Sequence, residues 1–366
     1  MTPRILIAVT HLMGSGHLVR MAALARTLTA AGADVRLLAG GRPIAHLDLS
    51  DLAVTWLPPV ASDGLDYARL LDAEGAAVTP AYLARRRASA LAELARVDPH
   101  ILVTETWPLG RGALREEYTA LAAAARAGGA QLWASLRDIP EPPSPKKAAR
   151  AKAALAAFDG LIIHGDRRIY DLTSEWSLPG GLGLHYAGLI AAPLPAQLPS
   201  EEVLVSVGGG AIGRGLLVCA AAAAGLSARP WRLLVGGADA AAFARSLPGP
   251  ARAEPARADY RARLGGAAAS VSLAGYNTVA DLLQCATPAV VLPMAEGGER
   301  EQIMRGAALA GLGLSVLDAA MLTPKALNRA VEDSIASGPR PATGLPLDGA
   351  RRAAHLLIDA AAARGG

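Results

Sequence analysis

One group in this chain that is able to move a proton is a histidine at the end of a glycine loop. Met13-Gly14-Ser15-Gly16-His17-Leu18-Val19-Arg20 follows the apolar run Ile5 to Val9 and precedes an Ala/Leu-rich stretch, so it reads as strand, tight loop and helix start. The positive end of a helix dipole disfavours a charged imidazole, and a neutral one can take a proton from an alcohol or from water. Arg20, three residues on, shares the helix face with His17 and suits a phosphate or a carboxylate. A histidine in that place also serves as a plain cap on the loop. The residues alone leave both readings open.

A second glycine loop, Val207-Gly208-Gly209-Gly210-Ala211-Ile212-Gly213, again joins a strand to a helix. Its backbone N–H groups can approach a diphosphate closely, and the helix dipole favours the negative charge. The glycine spacing does not fit a dinucleotide-binding fingerprint, and no acidic residue ends the next strand. No Gly-Lys-Ser/Thr follows, so it is not a P-loop either.

The third constellation runs from Ser272 through Gly275-Tyr276-Asn277-Thr278 to Asp281, then Cys285-Ala-Thr-Pro288, Val290-Val-Leu-Pro293 and Glu299-Arg-Glu301-Gln302. Here a strand ends in a glycine turn, a helix carries Asp281 in its first turns, and a second strand leads to a polar helix start. Both polar groups fall on the rim where open parallel sheets bind ligands. Asp281 suits the hydroxyl pair of a ribose, while Glu301 and Gln302 suit sugar hydroxyls. Acidic residues at a helix start, Glu299 included, also serve as simple dipole compensation. Further polar groups stand at the ends of expected strands: Glu105 with Trp107, Arg137 with Asp138, and His164 with Asp166. These are ligand-facing candidates, with loop stabilisation as the alternative. The run Arg85-Arg86-Arg87 reads as a solvated helix face, and binding of an anion is the lesser reading.

The elements that must hold these groups alternate between short β-rich runs and Ala/Leu helices, the pattern of parallel sheets covered by helices on both faces. Strands are expected at 4–10, 34–39, 53–57, 100–105, 131–137 and 160–164, then at 202–207, 231–236, 269–273, 288–293 and 313–317. The Pro-rich stretch 191–200 separates two similar halves and reads as a linker. The expectation is an α/β chain of two Rossmann-like, doubly wound domains facing across a cleft, at 1–190 and 201–346. A last helix within 347–366 is expected to pack back on the first domain.

Composition narrows the classes. Hydrophobic residues make up 52% of the 366 but aromatics only 4%, so alanine, leucine and valine carry the apolar content. The longest apolar span, Leu216 to Ala228, falls short of the ~20 residues a bilayer crossing needs and reads as a buried helix. The apolar run at Ile5 to Val9 is too brief for a secretory signal, which leads to a cytoplasmic expectation. Cys219 and Cys285 lack the spacing of a metal or redox pair and read as reduced core thiols. A net charge of +4 without a basic stripe and interleaved aromatics argues against nucleic acid. No Asp-X-Asp triplet occurs, so neither a metal nor another cofactor is expected.

The stretch Ala274 to Gln302, with Gly14-Ser-Gly-His17 and the second glycine loop, resembles the family 28 glycosyltransferases of GT-B fold. The best-known member of that family adds N-acetylglucosamine to the lipid-linked peptidoglycan precursor. The resemblance implies a nucleotide-sugar donor, UDP-linked, held by Gly208, Gly209, Gly210, Ala211, Gly275, Tyr276, Asn277, Thr278, Asp281, Glu301 and Gln302. Asp281 would then take the ribose where the peptidoglycan enzyme has Glu, and Glu301 and Gln302 would match its adjacent sugar-reading glutamines. It implies His17 as base beside an unidentified acceptor, with Gly14, Ser15, Gly16, Arg20, Glu105, Trp107 and Arg137 on the acceptor side. The chain departs from the family pattern in one extra residue through Glu296-Gly-Gly298, in Glu301 for a glutamine, and in the plain Ala211-Ile212. Gly14-Ser-Gly-His-Leu-Val-Arg20 is also similar to the loop of GT-B-like hydrolases of UDP-linked sugars. Inverting, metal-independent transfer is the first expectation, with hydrolysis or epimerisation of a UDP-sugar and a non-catalytic donor-binding subunit as alternatives. Peripheral contact with the inner membrane face is left open.

Overall fold

The computed structural model describes residues 2–44, 47–62, 69–208, 212–294 and 300–363. Contacts divide the chain into one unit of Met1–Arg167, Asp171–Ile190 and Asp348–Gly366, and a second of Arg168–Tyr170 and Ala191–Leu347.

In the first unit, β1 (Arg4–Val9), β2 (Asp34–Ala39), β3 (Ala53–Trp56), β4 (Ile101–Glu105), β5 (Gln131–Arg137), β6 (Gly160–His164) and β7 (Gly183–Tyr186) form one parallel sheet in the order β3-β2-β1-β4-β5-β6-β7. Its central strands are near-continuous apolar runs because helices cover both faces. These helices are α1 (Gly16–Ala30), α2 (Pro80–Val97), α3 (Arg115–Ala127) and α4 (Pro145–Leu155). Leu18, Met21, Leu24 and Leu28 of α1 fall at helical spacing and pack with Ile5 and Ile7 of β1. The same core takes in Ala353, Ala354 and Leu357 of the last helix, Gly349–Ala362. Gln131 Nε2 donates to the Ala360 carbonyl at 2.7 Å.

The second unit repeats the scheme with β8 (Val203–Ser206), α5 (Arg214–Ala224), β9 (Trp231–Val235), α6 (Ala240–Ser246), β10 (Arg252–Pro255), α7 (Tyr260–Gly266), β11 (Ala269–Leu273), α8 (Tyr276–Leu282), β12 (Ala289–Leu292), α9 (Glu301–Gly311), β13 (Ser315–Val316) and α10 (Pro324–Ala336). The helix Gly349–Ala362 of the first unit is therefore α11. The sheet order β10-β9-β8-β11-β12-β13 reverses direction beside β8, as that of the first unit does beside β1. The stretch 191–200 lies along α7 for part of its length, where Leu198 N donates to Ala262 O and Ser200 N to Gly266 O. Gly266 permits this approach, since a Cβ there would stand 2.1 Å from the Leu198 carbonyl oxygen.

Two strands carry no sequence signal. Gly183–Tyr186 is half-buried at a sheet edge, and Arg252–Pro255 is half charged and ends in proline. Edge strands need no continuous apolar run, and Pro is tolerated there. Arg232 of β9 holds the second of these edges through Glu254 Oε1 at 2.5 Å, while its other side pairs with Glu202.

The solvated-face reading of Arg85-Arg86-Arg87 is corrected at its middle residue. Arg86 is fully buried, and its guanidinium meets Glu117 at 2.7 and 3.1 Å, Gly40 O at 2.7 Å, Pro58 O at 2.5 Å and Thr10 Oγ1 at 2.9 Å. One residue is about 100° of helix, so its neighbours point elsewhere: Arg87 pairs with exposed Glu116, and Arg85 lies over the Tyr82 ring. Both cysteines are free thiols and only half-buried, at the margins of the core. Among the described residues no helix is long and apolar enough to cross a membrane.

Candidate active site

In the first unit the reversal of strand order places the ends of β1 and β4 side by side, with Ala8 opposite Thr104. α1 and the connection after β4 leave those ends together, which opens a crevice at the switch point. The β1–α1 loop turns at Gly14, whose φ of +59° is costly for any residue with a Cβ. It delivers His17 to the first turn of α1, and Glu105 ends β4 directly opposite.

His17 Nδ1 lies 2.5 Å from Glu105 Oε1. Arg20 Nη2 stands 3.4 Å from the same oxygen, and Arg111 Nη2 3.7 Å from Oε2. Glu105 is 1% exposed. Burial pulls its pKa upward, but His17, Arg111 and Arg20 outweigh that and hold it well below the usual carboxylate range. Glu105 is therefore an anion. Burial dominates at His17 and, against the pull of Glu105, lowers its pKa to about 4, so the ring is neutral at pH 7. An anionic Glu105 only accepts, and it is nearer to Nδ1 than Arg20 Nη2 is at 3.2 Å, so the His17 proton sits on Nδ1 and donates to Glu105 while Arg20 serves the carboxylate. Nε2 is left with its lone pair and makes no hydrogen bond to any described residue. The capping reading does not describe this ring, since Ser15 holds the N-cap position and His17 bonds to a strand 88 residues away.

The other acceptor-side candidates divide. Trp107 is buried and stacks on Tyr118, with ring centroids 5.8 Å apart, so it packs the turn. Arg137 is half-buried at the end of β5, and buried Asp138 Oδ1 accepts from Ile139 N at 2.9 Å. His164 is fully buried with Nε2 2.8 Å from Ser135 Oγ. Arg111, which completes the cage around Glu105, carries no signal of its own in the sequence.

Burial drives the His164 pKa from 6.5 down to about 3. The unfolded chain takes up a proton below pH 6.5 that the folded chain refuses until about pH 3, so this contribution to stability is complete above 6.5 and falls as pH drops toward 3. Thermal unfolding should show the transition temperature dropping across that window. The slope should be shallower in His164→Gln by up to about 1.4 kcal/mol per pH unit, one proton's worth. An identical slope in the variant would show that His164 does not titrate this way.

In the second unit β8 runs into Gly208, with φ +89°, and α5 begins after Gly213, with φ +82°. A Cβ on Gly213 would also meet Val207 Cγ1 at 2.9 Å. Gly209, Gly210 and Ala211 lie outside the described residues, as do Glu296, Gly297, Gly298 and Glu299. Arg214, first in α5, donates to Gly236 O at 3.0 Å and Asp239 Oδ1 at 2.6 Å, and its guanidinium lies 4.0 Å from the centre of the Phe243 ring. The turn after β11 caps α8 at Gly275, with Tyr276 buried, Asn277 exposed and Thr278 half-buried.

Asp281 falls at the far end of α8, where its Oδ1 accepts from Arg261 Nε at 2.9 Å. Burial raises its pKa against the opposing pull of Arg261. Oδ2 makes no hydrogen bond among the described residues. Glu301 differs from the expectation of a rim position. It is 7% exposed and pairs with fully buried Arg305, one helical turn on, which in turn donates to Ala274 O and ties α9 to the end of β11. The side chains at i and i+4 share a face, and here that face is the buried one. Its neighbour Gln302 is half-buried, and its Oε1 accepts from Met294 N at 3.4 Å.

Two parallel sheets with this strand order, each with a glycine loop at its switch point, are the fold of GT-B glycosyltransferases. Over 98% of its length the chain superposes on the whole chain of MurG from Acinetobacter baumannii, with TM-score 0.61 and 14% identity. It covers 99% of the kitacinnamycin glycosyltransferase over 98% of its own length, with TM-score 0.67 and 16% identity. At such identities the likeness is one of fold. In sequence, 133 residues are 38% identical to a UDP-N-acetylglucosamine–N-acetylmuramyl-(pentapeptide) pyrophosphoryl-undecaprenol N-acetylglucosamine transferase of Synechococcus sp. strain JA-3-3Ab, 34% of this chain and 35% of that protein. The counterpart in strain JA-2-3B'a(2-13) is 35% identical over 133 residues, 34% of this chain and 36% of that one. The match thus spans about a third of the curated relatives' length. No family model matches the chain. The superpositions agree with the GT-B fold, and the sequence match agrees with the resemblance to family 28 glycosyltransferases.

Proposed function

We propose that the protein is a glycosyltransferase that moves a sugar from UDP to a hydroxyl acceptor, with inversion and without a metal. The observation that carries this reading is the His17–Glu105 pair: a neutral imidazole whose Nδ1–H is anchored on a buried anion, with Nε2 ready to accept a proton. The sequence match to N-acetylglucosamine transferases supports the class. In the proposed step Nε2 takes the proton of the acceptor hydroxyl as its oxygen attacks the anomeric carbon. The bond from that carbon to the diphosphate breaks, and UDP leaves with the bonding pair. Glu105 stabilises the imidazolium that forms, and N–H groups between Gly208 and Gly213 take the charge growing on the diphosphate. Asp281 Oδ2 is assigned to the ribose and Gln302 to the sugar, while Glu301 holds α9 in place through Arg305. A cytoplasmic setting, with peripheral contact at the membrane face for a lipid-linked acceptor, belongs to the same reading.

The test is UDP release from UDP-N-acetylglucosamine and other UDP-sugars, with and without hydroxyl acceptors. Release that depends on acceptor supports transfer, and release at the same rate in water alone replaces it with hydrolysis. Absence of both UDP binding and UDP release overturns the reading.

The nucleotide assignment has its own check. Asp281→Ala and Asp281→Asn should each weaken UDP binding by roughly 1–3 kcal/mol, the cost of lost hydrogen bonds to a charged group. Unchanged UDP affinity by calorimetry, in variants that remain folded, removes Asp281 from the nucleotide site.

A further inference from the structure

The turn after β4 is built at a cost. Thr106 has φ +67° and Arg111 φ +59°, two non-glycine residues in the left-handed region within six positions. Backbone bonds hold it shut: Thr106 N donates to Ser135 O at 2.7 Å, and Gly110 N to Thr106 O at 2.8 Å. Gly110 is required for this, since a Cβ there would lie 2.4 Å from Thr106 Cγ2. The effect of the strained turn is to bring the chain back over the end of its own strand, so that Arg111 faces Glu105.

Arg111 is 10% exposed, and its Nη2 stands 3.7 Å from Glu105 Oε2. Among the described residues neither that nitrogen nor that oxygen has a hydrogen-bond partner, and both are buried. Each is the other's opposite charge. Glu105 Oε1, by contrast, already faces His17 and Arg20. The carboxylate is thus divided between a side that meets the imidazole and a side that faces Arg111.

We propose that Arg111 is a positioning residue that acts on His17 through Glu105, engaging Oε2 so that the carboxylate stays ionised and Oε1 holds the Nδ1–H tautomer. The inference rests on the proposed role of His17 as base. Without Arg111 the interior favours a protonated Glu105, which donates to Nδ1 and moves the imidazole proton to Nε2, where it blocks proton acceptance. The groups that set this balance are His17 and Arg20 on α1, Arg111 itself, His164 at the end of β6 and His11 after β1, the last two within electrostatic reach of Glu105.

The tautomer is read directly by nitrogen-15 NMR of the histidine rings. At neutral pH the wild type should show His17 protonated on Nδ1 and bare on Nε2. Arg111→Gln should shift the ring toward the Nε2–H form, and Arg111→Lys should remain near the wild type. In Arg111→Gln the acid limb of the turnover profile should also move up by about one pH unit or more, with UDP affinity unchanged. Arg111→Met, of similar volume, repeats the measurement if the glutamine variant folds poorly. A folded variant with the wild-type tautomer and an unmoved acid limb overturns the proposal. If the wild type turns over no UDP-sugar at all, the proposed function fails on that result, while the NMR shift still decides what Arg111 does to His17.

Discussion

His17→Ala is expected to lower turnover by about 10²- to 10⁴-fold, the range for loss of a general base, while UDP affinity stays nearly unchanged. The ring is neutral because its partial burial disfavours the charged form, and its tautomer is set because Glu105 accepts from Nδ1 at 2.5 Å. Those two facts give Nε2 its proton-accepting role, and alanine removes that role, while the proposed nucleotide site belongs to the second unit. Glu105 would keep Arg20 and Arg111 as partners in the variant, so the fold should survive. His17→Gln, which retains a hydrogen-bonding group for Glu105 but cannot act as base, should be as slow as the alanine variant. Turnover and transition temperature measured on the same preparations separate the outcomes. A variant with wild-type rate per folded molecule and a lowered transition temperature would make His17 a structural residue only.

Arg86→Met should destabilise the protein by about 3–5 kcal/mol, because it leaves Glu117 as a buried carboxylate without its cation. Glu117 is already pushed upward in pKa by burial, with Arg86 as the main opposing pull. The guanidinium also closes three other gaps, at the carbonyls of Gly40 and Pro58 and at Thr10 Oγ1. Gly40 has to be glycine for this, since a Cβ would fall 2.0 Å from Arg86 Nη2. Denaturant unfolding provides the measurement. Arg86→Met combined with Glu117→Leu should recover much of the loss, since it is the unpaired charge that is costly rather than the missing bridge. If the single variant loses less than about 1 kcal/mol, the pair behaves as an exposed one and the burial argument fails.

Local pattern carries the elements because each is written in consecutive residues. The alternation of apolar runs with helical spacing is legible at Ile5 to Val9 and at Leu18, Met21, Leu24 and Leu28, and it leads to two parallel sheets of the observed kind. It fails at Gly183–Tyr186 and Arg252–Pro255, where an edge position relaxes the requirement for apolar residues. The direction in which a polar side chain on a helix points is not written locally at all. Glu301 looks like a rim residue by spacing, yet α9 packs so that its face with Arg305 turns inward. Arg86 misleads in the same way within a run of three arginines, since only the neighbouring Glu117 and the strand ends at Thr10 and Gly40 show which of the three is buried.

By itself the sequence determined that a histidine begins a helix after a glycine loop, that a second glycine loop opens the other half, and that parallel sheets carry both. Strand, loop and helix propensities act over a few residues and need no distant partner. Only the tertiary structure decided that His17 has Glu105 as its anchor. The two are 88 residues apart, and they meet because β1 and β4 are neighbours in the sheet, an adjacency set by packing and chain crossover rather than by any local preference. The same holds for Arg111, whose place over Glu105 depends on two left-handed residues that local propensity disfavours and that the surrounding turn holds in place.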